Sequence, residues 1–200
     1  MLQAFFTKNC VEAGCDEAGR GCLAGPVYAA AVILPPDYHN DELNDSKQLS
    51  DKKRKLLREQ IQRDAISWAV GIVDNHEIDK INILNASFLA MHRALEKLSV
   101  SPEHIIIDGN RFKPYKKIPF DCVVKGDGKF LSIAAASILA KTYRDDYMDE
   151  LHEQFPFYDW KSNKGYPTLR HKLAIQKHGL TDFHRVTFNY ELPKQLTLEF

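Results

Sequence analysis

The sequence predicts a mixed α/β domain: a five-stranded sheet flanked by helices, with a small, mainly helical C-terminal extension. Three observations predict it. Short runs rich in β-branched and small apolar residues recur up to about residue 125, the signature of strands. Longer segments with apolar residues at helical spacing lie between and after them. No repeat, low-complexity tract or linker divides the chain, so residues 1–190 read as one domain and 191–200 as a tail.

Val11–Asp16 and Val27–Leu34 are the first two strands, joined by the glycine-rich turn Gly19–Gly25; the second stops at Pro35-Pro36. Ser50 is placed to cap a helix running through Asp64, with Leu49, Leu56, Leu57 and Ile61 on one face. Its other face carries Lys52, Lys53, Arg54, Lys55, Arg58 and Arg63, a pattern common to solvated faces and phosphate-binding ones. Ile66–Val73 reads as a third strand. A single helix is expected over Asp79–Leu98, because Leu84, Phe88, Met91, Leu95 and Leu98 step by four and three residues. His104–Asp108 contains an Ile-Ile-Ile run suited to a central strand buried on both faces, and Asp121–Lys125 is a further short strand. A long helix follows from Leu131 to Glu153, whose Ala134–Ala136 and Ala140 permit close approach to a sheet. Asp145 and Asp146 read as acids on its surface, with a supporting place behind the site as the alternative.

Composition narrows the class. At 200 residues and 44% hydrophobic content the chain can bury a sizeable core. Lys plus Arg and Asp plus Glu are both 27, so any phosphate contacts must come from local clusters. Cys10, Cys15, Cys22 and Cys122 form no CxxC pair, which gives a zinc site little support. No N-terminal secretory segment is seen, and the longest apolar runs fall short of the ~20 residues of a membrane helix. Free thiols in a reducing cytoplasm, no membrane partner and a monomer are the expectations.

Four acids stand out by position. Asp16 and Glu17 end the first strand, Asp108 ends the isoleucine run, and Asp127 follows Val123-Val124. Acids at the ends of neighbouring strands can converge, and their mutual repulsion is relieved by a hard divalent cation such as Mg²⁺. Singly, they are equally ordinary turn residues: Asp108 precedes Gly109-Asn110, and Asp127 lies between two glycines. The carboxylates alone do not identify a reaction.

Longer blocks do more. Gly14-Cys15-Asp16-Glu17-Ala18-Gly19-Arg20-Gly21, followed by Leu23-Ala24-Gly25-Pro26-Val27, resembles the opening motif of the ribonuclease HII family. The resemblance continues through Leu43–Ser50, His76–Asp79, Ile107–Asn110, Val124–Asp127, Ala134–Lys141 and Lys164–Thr168, in family order over about residues 11–190. Cys22 stands where many members have proline, and Cys15 where a β-branched residue is common; neither alters a proposed functional side chain.

The resemblance implies the ribonuclease H-like fold, with Asp16, Glu17, Asp108 and Asp127 as the metal-binding catalytic set. It implies an endonuclease that cuts the RNA strand of RNA–DNA hybrids and cuts 5′ of ribonucleotides embedded in duplex DNA, in ribonucleotide removal and primer processing. Two divalent ions, Mg²⁺ or Mn²⁺, would bracket the scissile phosphate and leave 5′-phosphate and 3′-hydroxyl ends. Gly19, Arg20 and Gly21 would approach the ribose, with Tyr166 stacking on the next sugar and bonding the 2′-hydroxyl. Read without the resemblance, Tyr166 is a packing residue beside Pro167. Ser46, Lys47 and Lys164 are candidate phosphate contacts, and Asn44, Lys125, Arg144 and Thr168 candidate supports. His171, His178 and His184 match no metal motif and read as surface or packing residues, His171 also as a weaker substrate contact. The related type III enzymes share this chemistry but carry an added N-terminal domain, whereas about ten residues precede the first strand here. The end, Gln195-Leu196-Thr197-Leu198-Glu199-Phe200, is similar to the Gln-x-x-Leu-x-Phe peptide that docks on sliding clamps, so Gln195, Leu198 and Phe200 are candidate partner contacts.

Overall fold

Strands β1 (Glu12–Ala18), β2 (Val27–Ile33), β3 (Ser67–Val73), β4 (His104–Asp108) and β5 (Phe120–Val123) form one sheet in the order β3-β2-β1-β4-β5. The structure is a computed structural model that describes residues 2–43, 46 and 49–191. β1 and β2, joined by a short loop, are antiparallel neighbours, as are β2 and β3, whose longer connection carries a helix; β1–β4 and β4–β5 are parallel. The expected mixed five-stranded sheet is present.

The helices are α1 (Asp51–Asp64), α2 (Asn75–Ile81), α3 (Ile83–Glu96), α4 (Leu131–Gln154), α5 (Trp160–Asn163) and α6 (Leu169–His178). Both faces of the sheet are covered, and the period-two alternation of β2 shows how. Ala29, Ala31 and Ile33 pack with Ala90, Met91 and Ala94 of α3, whereas Ala30 and Val32 pack with Ala134, Ala135 and Ile138 of α4 and Leu57 and Ile61 of α1. The alanines of α4 lie against the sheet as their size predicts. The approach is close enough that a Cβ on Gly14 of β1 would overlap the Ser132 backbone.

Two expectations need correction. The helix expected over Asp79–Leu98 is two helices, broken at Asn82, whose φ of 65° lies in the left-handed region that Asn tolerates. Its side chain accepts from the Asn85 N–H and caps α3, while Asp74 accepts from the Glu77 N–H and starts α2 earlier than the apolar spacing suggests. Asp145, read as a surface acid, is buried on α4 and paired with Lys141.

The C-terminal extension is helical as expected: a 3-10 turn at Pro156–Tyr158, then α5 and α6. Tyr158, Trp160, Ala174 and Ile175 pack with Met148 and Leu151 of α4 and with Leu23 and Ala24 from the β1–β2 loop. This layer therefore backs the loop that follows Asp16 and Glu17. The four cysteines are free, and among the described residues no helix is long and apolar enough to cross a membrane.

Candidate functional site

Parallel pairing of β1, β4 and β5 places the ends of these strands side by side. Asp16 lies near the end of β1, Asp108 closes β4, and a 3-10 turn at Gly126–Gly128 after β5 delivers Asp127. Each of the three offers one carboxylate oxygen, and these oxygens all lie within 4.8 Å of one another. Asp108 Oδ1 accepts the Gly126 N–H at 2.7 Å, which ties the end of β4 to the turn carrying Asp127. Asp16 Oδ1 accepts the Glu17 N–H at 2.7 Å, and the Ser137 hydroxyl of α4 donates to the same carboxyl group.

The cluster is electrostatically costly. Asp16 and Asp127 are each only 6% exposed. Burial first, then the charges of Glu17 and Asp108, hold the Asp16 carboxyl well above its ordinary range. An all-oxygen donor set of this charge suits a hard divalent cation such as Mg²⁺ or Mn²⁺, and Asp16, Asp108 and Asp127 are the residues that fit one.

Glu17 does not join that trio, and strand alternation explains it. Asp16 pairs with Ala30 and faces α4, whereas Glu17 pairs with Ala29 and faces α3. Arg20 Nη1 donates to Glu17 Oε1 at 3.0 Å. Glu17 nevertheless borders the same cleft, a space of about 590 Å³ that Asp16, Asp108, Gly19, Arg20, Gly21, Ser46 and Tyr166 also line. The two halves expected to read a ribose, the Gly19–Gly21 loop and Tyr166, thus meet beside the carboxylates. Tyr166 is 40% exposed.

Two buried arginines shape this cleft through backbone carbonyls. Arg144 Nε donates to the Pro26 carbonyl at 3.0 Å, Nη2 to Ala24 at 3.1 Å and Nη1 to Lys164 at 2.8 Å. Arg185 donates to the Gly25 carbonyl at 2.9 Å and the Arg20 carbonyl at 3.0 Å; burial pulls its pKa down to about 10. Gly19, at φ 97°, is required here, because a side chain would overlap the Arg144 guanidinium.

A buried imidazole pair holds the far side of the Tyr166 loop. His184 Nδ1 accepts the Thr181 N–H at 2.9 Å, so its Nε2 carries the proton and donates to His171 Nε2 at 3.3 Å. Trp160 Nε1 donates to that same His171 Nε2 at 2.9 Å, which leaves His171 Nδ1–H to donate to the Tyr166 carbonyl at 3.0 Å. His171 and His184 are therefore packing residues rather than surface ones; His178 is exposed.

The remaining expected contacts divide. Ser46 lines the cleft, but its hydroxyl is buried against Ser137 at 2.8 Å. Lys164 directs its ammonium to Asp149 and contributes its carbonyl to Arg144. Thr168 caps α6 by accepting the His171 N–H, and Lys125 is exposed beside the Asp127 turn at φ 56°. Asn44, Lys47, Gln195, Leu198 and Phe200 lie outside the described residues. Of the basic face of α1, Arg54 reaches the cleft, whereas Lys53, Arg58 and Arg63 engage Glu42, Asp146 and Asp64. Sequence reasoning missed Arg54 and Lys141 as individual cleft residues, Ser137 as the partner of Asp16, and Arg185 altogether. No local pattern marks Arg185, whose partners lie 160 and 165 positions away.

Comparison with known proteins agrees with this geometry. The family model described as ribonuclease HII matches residues 13–191. The chain belongs to the ribonuclease HII family. It is a ribonuclease H, a phosphodiester hydrolase of RNA–DNA hybrids. It is 68% identical to the ribonuclease HII of Parabacteroides distasonis over 200 residues, covering 100% of both chains. With the ribonuclease HII of Bacteroides thetaiotaomicron it shares 65% identity over 200 residues, again covering 100% of each. Among solved structures it is similar to ribonuclease H2 from Pyrococcus horikoshii OT3, with TM-score 0.75, 25% identity, 90% of this chain and 94% of that one. The PCNA–ribonuclease HII complex from Archaeoglobus fulgidus gives TM-score 0.74 at 22% identity, covering 94% and 99%. A Bst ribonuclease HIII in complex with Mn²⁺ gives 0.75 at 22%, covering 90% of this chain and 67% of that one. These last two bear on the fold, and the ribonuclease HII family shares that ribonuclease H-like architecture.

Proposed function

We propose that this ribonuclease HII-family chain cuts the RNA strand of hybrids and also cuts on the 5′ side of ribonucleotides embedded in duplex DNA, leaving 5′-phosphate and 3′-hydroxyl ends. The observation that carries the reading is the convergence of carboxylate oxygens of Asp16, Asp108 and Asp127 within 4.8 Å, two of these acids, Asp16 and Asp108, lining the cleft that Gly19, Arg20, Gly21 and Tyr166 also line. Asp16, Asp108 and Asp127, with Glu17 from the opposite face of β1, are the residues assigned to hold two divalent ions, Mg²⁺ or Mn²⁺; the Mn²⁺ complex of the ribonuclease HIII neighbour supports that choice. Such ions, when bound, supply an activated water and stabilise charge on the departing 3′ oxygen.

The protein supplies position and discrimination. Gly19 and Gly21 bring backbone N–H and C=O groups close to the 2′-hydroxyl, which both donates and accepts. Arg20 grips a neighbouring phosphate. Tyr166 stacks on the following sugar and bonds the 2′-hydroxyl, so that a deoxyribose leaves a polar group without its partner. Ser46, Lys47 and Lys164 contribute to phosphate binding. One chain contains every part of this arrangement, which fits a monomer. The test is a gel of a DNA duplex bearing one ribonucleotide, incubated with and without Mg²⁺. A cut 5′ of the ribonucleotide that requires the metal is expected; cleavage that survives chelation ends the proposal.

A role in ribonucleotide removal during replication and repair in the cytoplasm follows from that specificity, with a sliding clamp as partner. Gln195 would orient the tail while Leu198 and Phe200 fill an apolar pocket; the PCNA complex of the Archaeoglobus relative supports a clamp partner. Clamp binding by the parent and its loss in a chain ending at Pro193 are expected. A parent that does not bind a clamp removes this part.

A further inference from the structure

We infer a second nucleic-acid site beside the first: a recess between α3 and the chain leaving β4 that takes a backbone phosphate of the bound duplex. It rests on the nuclease reading above, because it continues the same cleft. Glu17, Arg20 and Asp108 border both the main cleft and this recess of about 270 Å³, so the two meet at the carboxylates. Ser87, Phe88 and Met91 of α3 form one wall, and Asn110 and Arg111 the other.

Two features suit a phosphodiester. Ser87 is 2% exposed, yet its Oγ has no hydrogen-bond partner among the described residues. A buried hydroxyl without a partner costs stability in the free protein, and an entering acceptor recovers that cost. Arg111 is exposed and makes no ion pair among the described residues, so its five donors are available. Standing three residues after Asp108, its Cα lies within about 11 Å of the carboxylate-bearing residue. A strand carries one phosphate per about 3.4 Å of helix axis, so this reach spans roughly two or three nucleotides from the bond to be cut.

Charge argues the same way. Four acids at the cutting centre repel phosphate, and the strand needs cations flanking them to be seated. Arg20, at the junction, shares its charge between Glu17 and the phosphate assigned to it, so a second cation nearby adds to the hold on the strand. The segment after Asn110 provides Arg111, Lys113 and Lys117 beyond the Lys116–Glu96 pair, while the Phe88 and Met91 side chains offer an apolar floor to the sugar edge.

The test measures binding without cutting: fluorescence anisotropy of a labelled duplex with one ribonucleotide, titrated with the full chain in EDTA over a range of salt. Arg111→Ala is expected to weaken binding several-fold and to lower the slope of log affinity against log salt by about one. Ser87→Ala is expected to weaken binding while the free protein melts no lower than the parent, a pairing that a purely structural serine does not produce. Neutral methylphosphonates placed one at a time, in the cut strand and then in its complement, identify the phosphate. The position whose neutralisation no longer matters in Arg111→Ala is the partner. Unchanged affinity and salt slope in Arg111→Ala overturn the site. A parent that binds with its full salt slope but never cuts with Mg²⁺ present sinks the nuclease reading instead.

Discussion

The guanidinium of Arg144 bonds the carbonyl of Lys164 at 2.8 Å, two residues before Tyr166, while its other nitrogens hold the Ala24 and Pro26 carbonyls of the β1–β2 loop. One side chain thus fixes both walls of the cleft beside the carboxylates relative to each other. Lysine carries the charge but not the planar fork, so Arg144→Lys leaves buried carbonyls unsatisfied, each at about 1–3 kcal/mol. A variant that is less stable by several kcal/mol and cuts at least tenfold more slowly is expected. Chemical denaturation and single-turnover cleavage measure the two effects; a variant matching the parent in both removes the clamp role.

Neutralising the acid cluster separates stability from activity. Asp16→Asn removes a carboxyl that burial, Glu17 and Asp108 disfavour, so the metal-free protein is expected to melt a few degrees higher. The same variant is expected to lose cleavage by more than about a hundredfold and to lose any rise in melting temperature on adding Mn²⁺. Melting curves with EDTA and with Mn²⁺ read this directly. Equal stabilisation by the ion in parent and variant takes Asp16 out of the metal site.

Removing the Tyr166 hydroxyl tests the proposed ribose contact. Tyr166→Phe keeps the ring and its backbone contact to His171 but loses the polar tip. Cleavage at a single ribonucleotide is expected to fall at least tenfold with Mn²⁺ binding intact. Unaltered rates on that duplex exclude the hydroxyl from the mechanism.

Acidity should loosen the fold through the imidazole pair. Burial lowers the pKa of His171 and takes that of His184 down to about 4, with His171 adding to the shift in His184. An unfolded histidine titrates near 6.5, so below that pH the unfolded chain gains protons that the native imidazole refuses until about pH 4. Stability therefore falls as pH drops through this window and is level above it. By pH 5 the His184 contribution is about 2 kcal/mol, or roughly 4–8 °C in Tm. Melts at pH 7 and pH 5, compared with His184→Gln, isolate it; a difference of the same size in both proteins refutes the assignment.

The sheet was readable because its strands are dense in β-branched and small residues, and the long α4 because its alanines advertise a close sheet contact. The break at Asn82 was hidden, since apolar spacing runs across it and a single left-handed residue leaves no periodic trace. At the site, strand-end position alone anticipated that Asp16, Asp108 and Asp127 could converge; the family blocks were needed to name a reaction. Arg185 could not be read in advance, because it bonds backbone carbonyls that carry no side-chain signature. The same holds for the tautomers of His171 and His184, which follow from Thr181 and Trp160 rather than from spacing.

The opposite facing of Asp16 and Glu17 on β1 makes the alignment of that strand a functional quantity. Inserting or deleting one residue upstream in β1 would exchange the two acids, send Glu17 toward Ser137 and put Asp16 in front of Arg20. It would also move Gly14 from beneath Ser132 and thrust a larger residue into the helix. A slipped strand is therefore penalised in the folded core before it can miscut anything, and chains that fold at all arrive with their acids on the correct sides.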